Sequence, residues 1–124
     1  MKGLAVMLAV AALCPALLQT GAAAAGGFQK LSGRQIQARL AGMQLTDEVH
    51  WRDVYDRNGT LRSYSNGMEK VGKWAVEKNE LCVYFKEPDD GCYEVSLSGD
   101  RIEMKPTGLG LSIEGILQTP TDRK

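Results

Sequence analysis

Between residues 70 and 105 apolar and polar side chains alternate with a period of two: Trp74 and Val76, then Leu81, Val83 and Phe85, then Tyr93, Val95 and Leu97, then Ile102 and Met104. Successive side chains on a strand point to opposite faces, so this period predicts strands with one face buried. The alternate positions are Lys73, Glu77, Glu80, Lys86, Glu94, Ser96, Arg101, Glu103 and Lys105, which suit the solvent face. Turn-forming residues punctuate the pattern roughly every eight to twelve positions, as in an antiparallel meander. Asn58-Gly59 and Asn66-Gly67 are the strongest of these, and Asn58-Gly59 reads as the tightest hairpin. Lys78-Asn79, Asp89-Asp90-Gly91, Ser98-Gly99-Asp100 and Pro106-Thr107-Gly108 mark the others. Strands are predicted over 43–47, 49–55, 60–65, 70–77, 80–85, 92–97, 101–105 and 111–117, with the first two able to merge. The fold class is mainly β: an antiparallel meander of about seven to eight strands, forming a small barrel or a curled sheet.

One helix precedes the meander. Ser32 is placed as its N-cap, Gln35 closes a capping box three residues later, and Leu31 with Ile36 has the spacing of a hydrophobic staple. Ile36 and Leu40 share an apolar face, and Gly42 stops the helix because it tolerates positive φ; the span is about 33–41.

Residues 1–25 read as a signal peptide, with Lys2 at its start, an apolar run from Leu4 to Leu18 and small residues Ala22 to Ala25 for cleavage, preferably after Ala25. Pro15 interrupts the run, which falls short of the ~20 residues a spanning helix needs, so no stable membrane span is expected after cleavage. Cys14 is followed by further apolar residues, unlike a lipid attachment site. Cleavage leaves 124 − 25 = 99 residues, a single β-rich domain over 26–124. Without Lys2 the 15 basic residues become 14 against 15 acidic ones, which offers no electrostatic case for nucleic acid. The expected location is the periplasm or the medium.

Export bears on the cysteines, because disulfides persist in oxidising compartments. Cys82 and Cys92 fall on the same polar strand face and are expected to bridge on the outside of the sheet. A tight turn at Glu87 to Asp89 would set them diagonally, near the limit of what a disulfide can span. Direct pairing leaves a longer loop between them and is preferred.

Tyr55-Asp-Arg-Asn-Gly-Thr60, Gly72-Lys-Trp-Ala-Val76, Leu81-Cys82 and Cys92-Tyr-Glu-Val95 together resemble a family of small exported bacterial proteins of uncharacterised function, with the pattern Y-x-x-[DN]-G-T, G-x-W-x-V, L-C, C-Y-x-V. The resemblance covers about residues 31–105. It implies a periplasmic β domain and supplies no catalytic residues. In a bacterial protein the Asn58-Gly59-Thr60 sequon is then simply a turn.

Candidate chemistry concentrates in Asp47-Glu48-Val49-His50-Trp51-Arg52-Asp53, which holds the only histidine. Read as one strand, it puts Glu48, His50 and Arg52 on one face and Asp47, Val49, Trp51 and Asp53 on the other, with Trp51 in the core. His50 then has Glu48 as its one neighbouring carboxylate, too few ligands for a metal site, so no metal or other cofactor is expected. The serines lack a nucleophile elbow, and Gly108-Leu-Gly110 lacks the helix of a phosphate cradle. No catalytic residues are assigned and the chain is read as a nonenzyme. The leading function is a noncatalytic binding or protein-interaction module engaging an envelope protein, with Tyr64, Tyr84, Lys86, Asp89 and Asp90 as its candidate contact surface. The alternative is a carrier for a small apolar ligand in a barrel cavity, and a metal-assisted hydrolase using His50 ranks third.

Overall fold

The computed structural model describes Gly3 and residues 27–88 and 90–121. Apart from Gly3, the expected signal peptide lies outside the described residues, with Cys14 and the cleavage positions Ala22 to Ala25; so does Asp89. The elements are β1 (Gln29–Lys30), α1 (Gly33–Leu40), β2 (Met43–Thr46), β3 (Trp51–Tyr55), β4 (Thr60–Ser65), β5 (Met68–Glu77), β6 (Glu80–Tyr84), β7 (Gly91–Ser98), β8 (Arg101–Pro106) and β9 (Ile113–Gln118). Each strand from β2 to β9 pairs antiparallel with the next, and β9 returns to β2 through Leu45↔Leu117 and its neighbours, so the eight strands close into a barrel. All eight correspond to the strands predicted by alternation. β1 was not expected: it is two residues long and polar, and it pairs with β7 through Gln29↔Leu97 and Lys30↔Ser96.

The helix forms as its capping signals dictate. Ser32 Oγ accepts from Gln35 N at 3.3 Å, and Ser32 N donates to Gln35 Oε1 at 2.9 Å. Gly42 takes φ +78°, and its N–H turns away from the helix to Tyr55 O at 2.7 Å, starting β2. Leu31, Ile36 and Leu40 are buried in one cluster with Leu45, Tyr55, Trp74, Leu81 and Ile102, so α1 closes one end of the barrel and its apolar stripe becomes part of the core. Asn79 Oδ1, in the β5–β6 turn, accepts from Gly33 N at 2.7 Å and fixes the helix start over that end.

The inward face is the one the alternation assigned: Trp74, Leu81, Val83, Val95, Ile102 and Met104 are buried. Trp74 packs edge-on to Tyr55, with centroids 5.6 Å apart, and its indole N–H reaches Asp56 O at 2.9 Å. Cys82 and Cys92 are direct partners on β6 and β7, with Cα atoms 4.0 Å apart, and they form the disulfide. The bridge is on the outer face as expected, yet Cys82 is fully buried. Glu77, whose carboxylate lies within 4.8 Å of both sulfurs, accepts from Tyr84 Oη.

Two of the expected turns form as two-residue hairpins, while Asn58-Gly59 and the junction of the first two strands differ from expectation. Asn66-Gly67 and Lys78-Asn79 are two-residue turns with positive φ at both positions, as the I′ geometry requires. Asn58-Gly59 is not the tightest hairpin, because only Gly59 has positive φ. Asp56 N donates to Thr60 O across a three-residue loop, and Gly59 N donates to Asp56 O. The strands 43–47 and 49–55 do not merge, since Glu48 takes φ +70° and breaks the run.

Replacing Trp74 with Ala is expected to cost about 3–5 kcal/mol in denaturant unfolding, as deletion of a buried aromatic does. A loss below about 1 kcal/mol would place the indole outside the core. Thiol labelling of the denatured, unreduced protein should find Cys82 and Cys92 unreactive, and reduction should remove about 3 kcal/mol of stability, the chain-entropy contribution of a loop this short.

Candidate functional site

In an up-and-down barrel alternate connections lie at opposite ends. The end away from α1 carries the loops Asp47–His50, Asn66–Gly67, Phe85–Asp90 and Thr107–Ser112. Two of these loops are wound around carboxylates. Asp47 Oδ1 accepts from the N–H groups of Val49, His50 and Trp51 at 3.0, 2.7 and 3.0 Å, and Asp47 Oδ2 meets His50 Nδ1 at 2.8 Å. Burial opposes the charge on Asp47, but these donors outweigh it and hold the carboxyl well below the usual range. Asp90 does the same in the next loop, accepting from Phe85 N at 2.8 Å, Lys86 N at 2.7 Å and Glu87 N at 3.1 Å. Burial again opposes its charge, and the three N–H groups with the Lys70 ammonium lower its pKa.

These loops surround a cavity of about 110 Å³ in the upper barrel, lined by Trp51, Asp53, Tyr55, Phe85, Tyr93 and Met104 among others. Asp53 faces inward because it sits two residues from Trp51 on β3. Burial raises its pKa, and a hydrogen bond from Ser63 with the Lys70 charge offsets that in part. Lys70 Nζ pairs with Glu87 Oε2 at 2.8 Å and lies 4.9 Å from the Phe85 ring centroid. Phe85 can fold over the mouth only because Gly72 is beneath it: a Cβ there would meet Tyr84 O at 2.4 Å and the Phe85 ring at 2.6 Å. Beside the cavity a groove of about 470 Å³ runs between the Phe85–Asp90 and Thr107–Ser112 loops, lined by Pro88, Cys92, Tyr93, Pro106, Leu109 and Ile113.

Three of the four open-end loops carry an exposed apolar side chain in the loop or on its flank. Val49 is 79% exposed, Met68 70%, Leu109 105% and Leu111 90%. Large apolar groups left in water by a closed barrel with a complete core point to a contact face.

The sequence-predicted contact residues do not form one patch. Tyr64 is on the outer wall of β4, with Arg52 stacked 3.9 Å from its centroid and Arg62 Nη1 donating to its hydroxyl at 3.1 Å. Tyr84 is on the outer wall of β6, separated from Tyr64 by β5, and its hydroxyl donates to Glu77. Lys86 and Asp90 belong to the open-end rim, where Asp90 holds its loop together; Asp89 lies outside the described residues. His50 faces Asp47 and not Glu48, because the break at Glu48 ends the alternation on which the Glu48 pairing rested. Among the described residues the one cluster with metal-ligand character is Glu77, Cys82 and Cys92, whose sulfurs are bonded to each other and so offer no thiolate.

Sequence reasoning passed over Asp53. Its signal was present: alternation put this carboxylate on the same face as Trp51, and an acidic residue on a core face needs a reason. Comparisons with protein-family models, with curated proteins and with solved structures found no match.

Proposed function

We propose that this protein is a noncatalytic, exported binding module that docks a protein of the cell envelope on the open end of its barrel. The observation that carries this reading is the group of exposed apolar side chains at that end, Val49, Met68, Leu109 and Leu111, which outnumber and exceed in exposure the two on the outer wall, Val71 and Tyr84. Interfaces gain most from apolar and aromatic groups at their centre with polar groups around them, and this end has that composition. The disulfide fits an oxidising compartment, periplasmic or extracellular, and the resemblance to small exported bacterial proteins belongs to the same proposal. Among the described residues no helix is long and apolar enough to cross a membrane.

The barrel interior gives less support to a carrier. Its cavity of about 110 Å³ is well below the ~300–1,000 Å³ of common ligand pockets, because Trp74, Tyr55 and the helix residues Ile36 and Leu40 fill the rest.

A photo-crosslinking residue placed at Leu109 should capture one predominant envelope protein, while the same residue at Glu103, on the outer wall, should not. With that partner purified, the double variant Leu109→Ser, Leu111→Ser is expected to weaken binding by about tenfold or more at unchanged thermal stability. Equal capture from Glu103, or unchanged affinity in the double variant, would overturn the open-end reading. An apolar small molecule retained at one equivalent in native mass spectrometry would replace it with the carrier.

A further inference from the structure

We propose that the stretch of β5 from Glu69 to Val71 is an open strand edge, and that an extended segment of the envelope partner adds to it as a further strand. This rests on the open-end reading of the preceding subsection and names the form in which the partner arrives.

The opening arises because β6 is shorter than both its neighbours. β6 has five residues, between β5 with ten and β7 with eight, so each of its ends uncovers part of a neighbour's edge. At the closed end the uncovered part belongs to β7, and β1 takes it: Gln29 and Lys30 pair with Leu97 and Ser96, and Leu31 N donates to Val95 O at 2.8 Å. At the open end it belongs to β5. Met68 to Lys73 pair with β4 on one side, but β6 reaches β5 only from Lys73 onward.

The direction of the backbone shows which groups are left over. The two-residue turn Lys78-Asn79 makes Glu77 and Glu80 a hydrogen-bonded pair, so Ala75 and Lys73 also point their N–H and C=O groups at β6. Trp74 N donates the other way, to Gly59 O at 3.0 Å. Carried on along β5, the same alternation aims the backbone groups of Val71 and Glu69 past the end of β6. The next partner on that ladder would be Lys86, opposite Val71. Lys86 instead takes φ +63° and donates its N–H to Asp90 Oδ2 at 2.7 Å, which turns the chain off the edge. Among the described residues no other hydrogen bond reaches the backbone of Glu69 or Val71 on that side.

These groups select the occupant. Two residues that each offer a donor and an acceptor in one direction, at strand spacing, match an extended backbone and neither a helix nor an ion. β1 on β7 shows the same geometry within this molecule, with a ladder just as short. Natural sheets commonly block such an edge with proline, a bulge or a charge directed along it. This stretch has no proline, keeps an unbroken register with β4, and has its Lys70 engaged by Glu87 at 2.8 Å. Val71, 61% exposed, and Met68, 70% exposed, give an added strand apolar side chains to pack on. Glu69 is exposed between them and favours a basic residue at the facing position of the incoming segment.

Amide hydrogen exchange on the unaltered protein reads the edge directly. The amides of Glu69 and Val71 should exchange quickly and those of Lys70 and Gly72, which face β4, slowly; slow exchange at all four would mean that the edge is already covered, and would overturn the proposal. A photo-crosslinking residue at Glu69 should capture the same envelope protein as one at Leu109. Capture of nothing, of a different protein or of a second copy of this chain would overturn it. With the captured partner purified, complex formation should slow exchange at Glu69 and Val71. Val71→Pro removes the N–H that faces the edge and none that faces β4, so it is expected to weaken binding about tenfold or more, while Val71→Thr, which keeps that N–H, stays within about twofold of the unaltered protein. Should Val71→Pro fail to fold, exchange in the complex decides alone, and unchanged rates at Glu69 and Val71 would rule out the added strand. The same partner separates this inference from the reading beneath it. If Leu109→Ser, Leu111→Ser abolishes binding while Val71→Pro leaves it intact, the open-end face stands and the added strand falls. If neither variant affects the partner, both fall.

Discussion

Closure of the sheet is the constraint on which the rest of this molecule depends. An open eight-stranded sheet exposes two edges of unpaired backbone, and a chain of this length has little else with which to cover them. Pairing of β9 with β2 removes both edges at once and turns the inward face into a core. A barrel also has two ends, and the chain has one helix to spend on them. Because α1 precedes β2 directly, it can reach only the end where β2 begins, so the opposite end is left to loops. Which end is left to loops is thus a consequence of chain order.

Those loops are ordered by charge more than by apolar packing. Asp47 and Asp90 each collect three backbone N–H groups, which satisfies donors that a loop at a barrel mouth would otherwise leave to water. A carboxylate held this way orders its loop without filling the mouth with side chains. It therefore keeps the cavity open while fixing what stands around it. Gly72 serves the same end from below, since the close approach of Tyr84 O and the Phe85 ring is compatible with no Cβ at that position.

The strands, the inward residues from Trp74 to Met104, the capped helix and the direct Cys82–Cys92 pairing were all legible because each rests on a local rule: period two, a capping box, or two side chains on one strand face. Closure was not legible as more than one of two outcomes, since pairing of β2 with β9 joins residues far apart in sequence and leaves no mark in either segment. β1 escaped because two polar residues, Gln29 and Lys30, carry no period. The loop at Asp47–His50 escaped because its alternation continues through Glu48 as if the strand did; only backbone donors converging on Asp47 reveal that it stops. Of the expected contact residues, Tyr64 and Tyr84 were taken from the outward face, whereas the cavity is lined by Asp90 of the loop and otherwise mainly by inward positions of the strands.

The inward face also differs between the two ends of the barrel. In the lower barrel, inward positions are apolar and complete; in the upper barrel the same face supplies Asp53, Ser63 and Lys70. A core built for stability alone would place apolar side chains there, because each polar group taken from water must be compensated by a partner. The strands continue past the point where packing is satisfied, and β5 runs from Met68 to Glu77, well beyond its pairing with β6 at Lys73. The extra length carries Met68 clear of the wall beside a polar, aromatic-sided recess. Stability needs neither the extension nor the recess, and both follow if this end exists to meet another molecule.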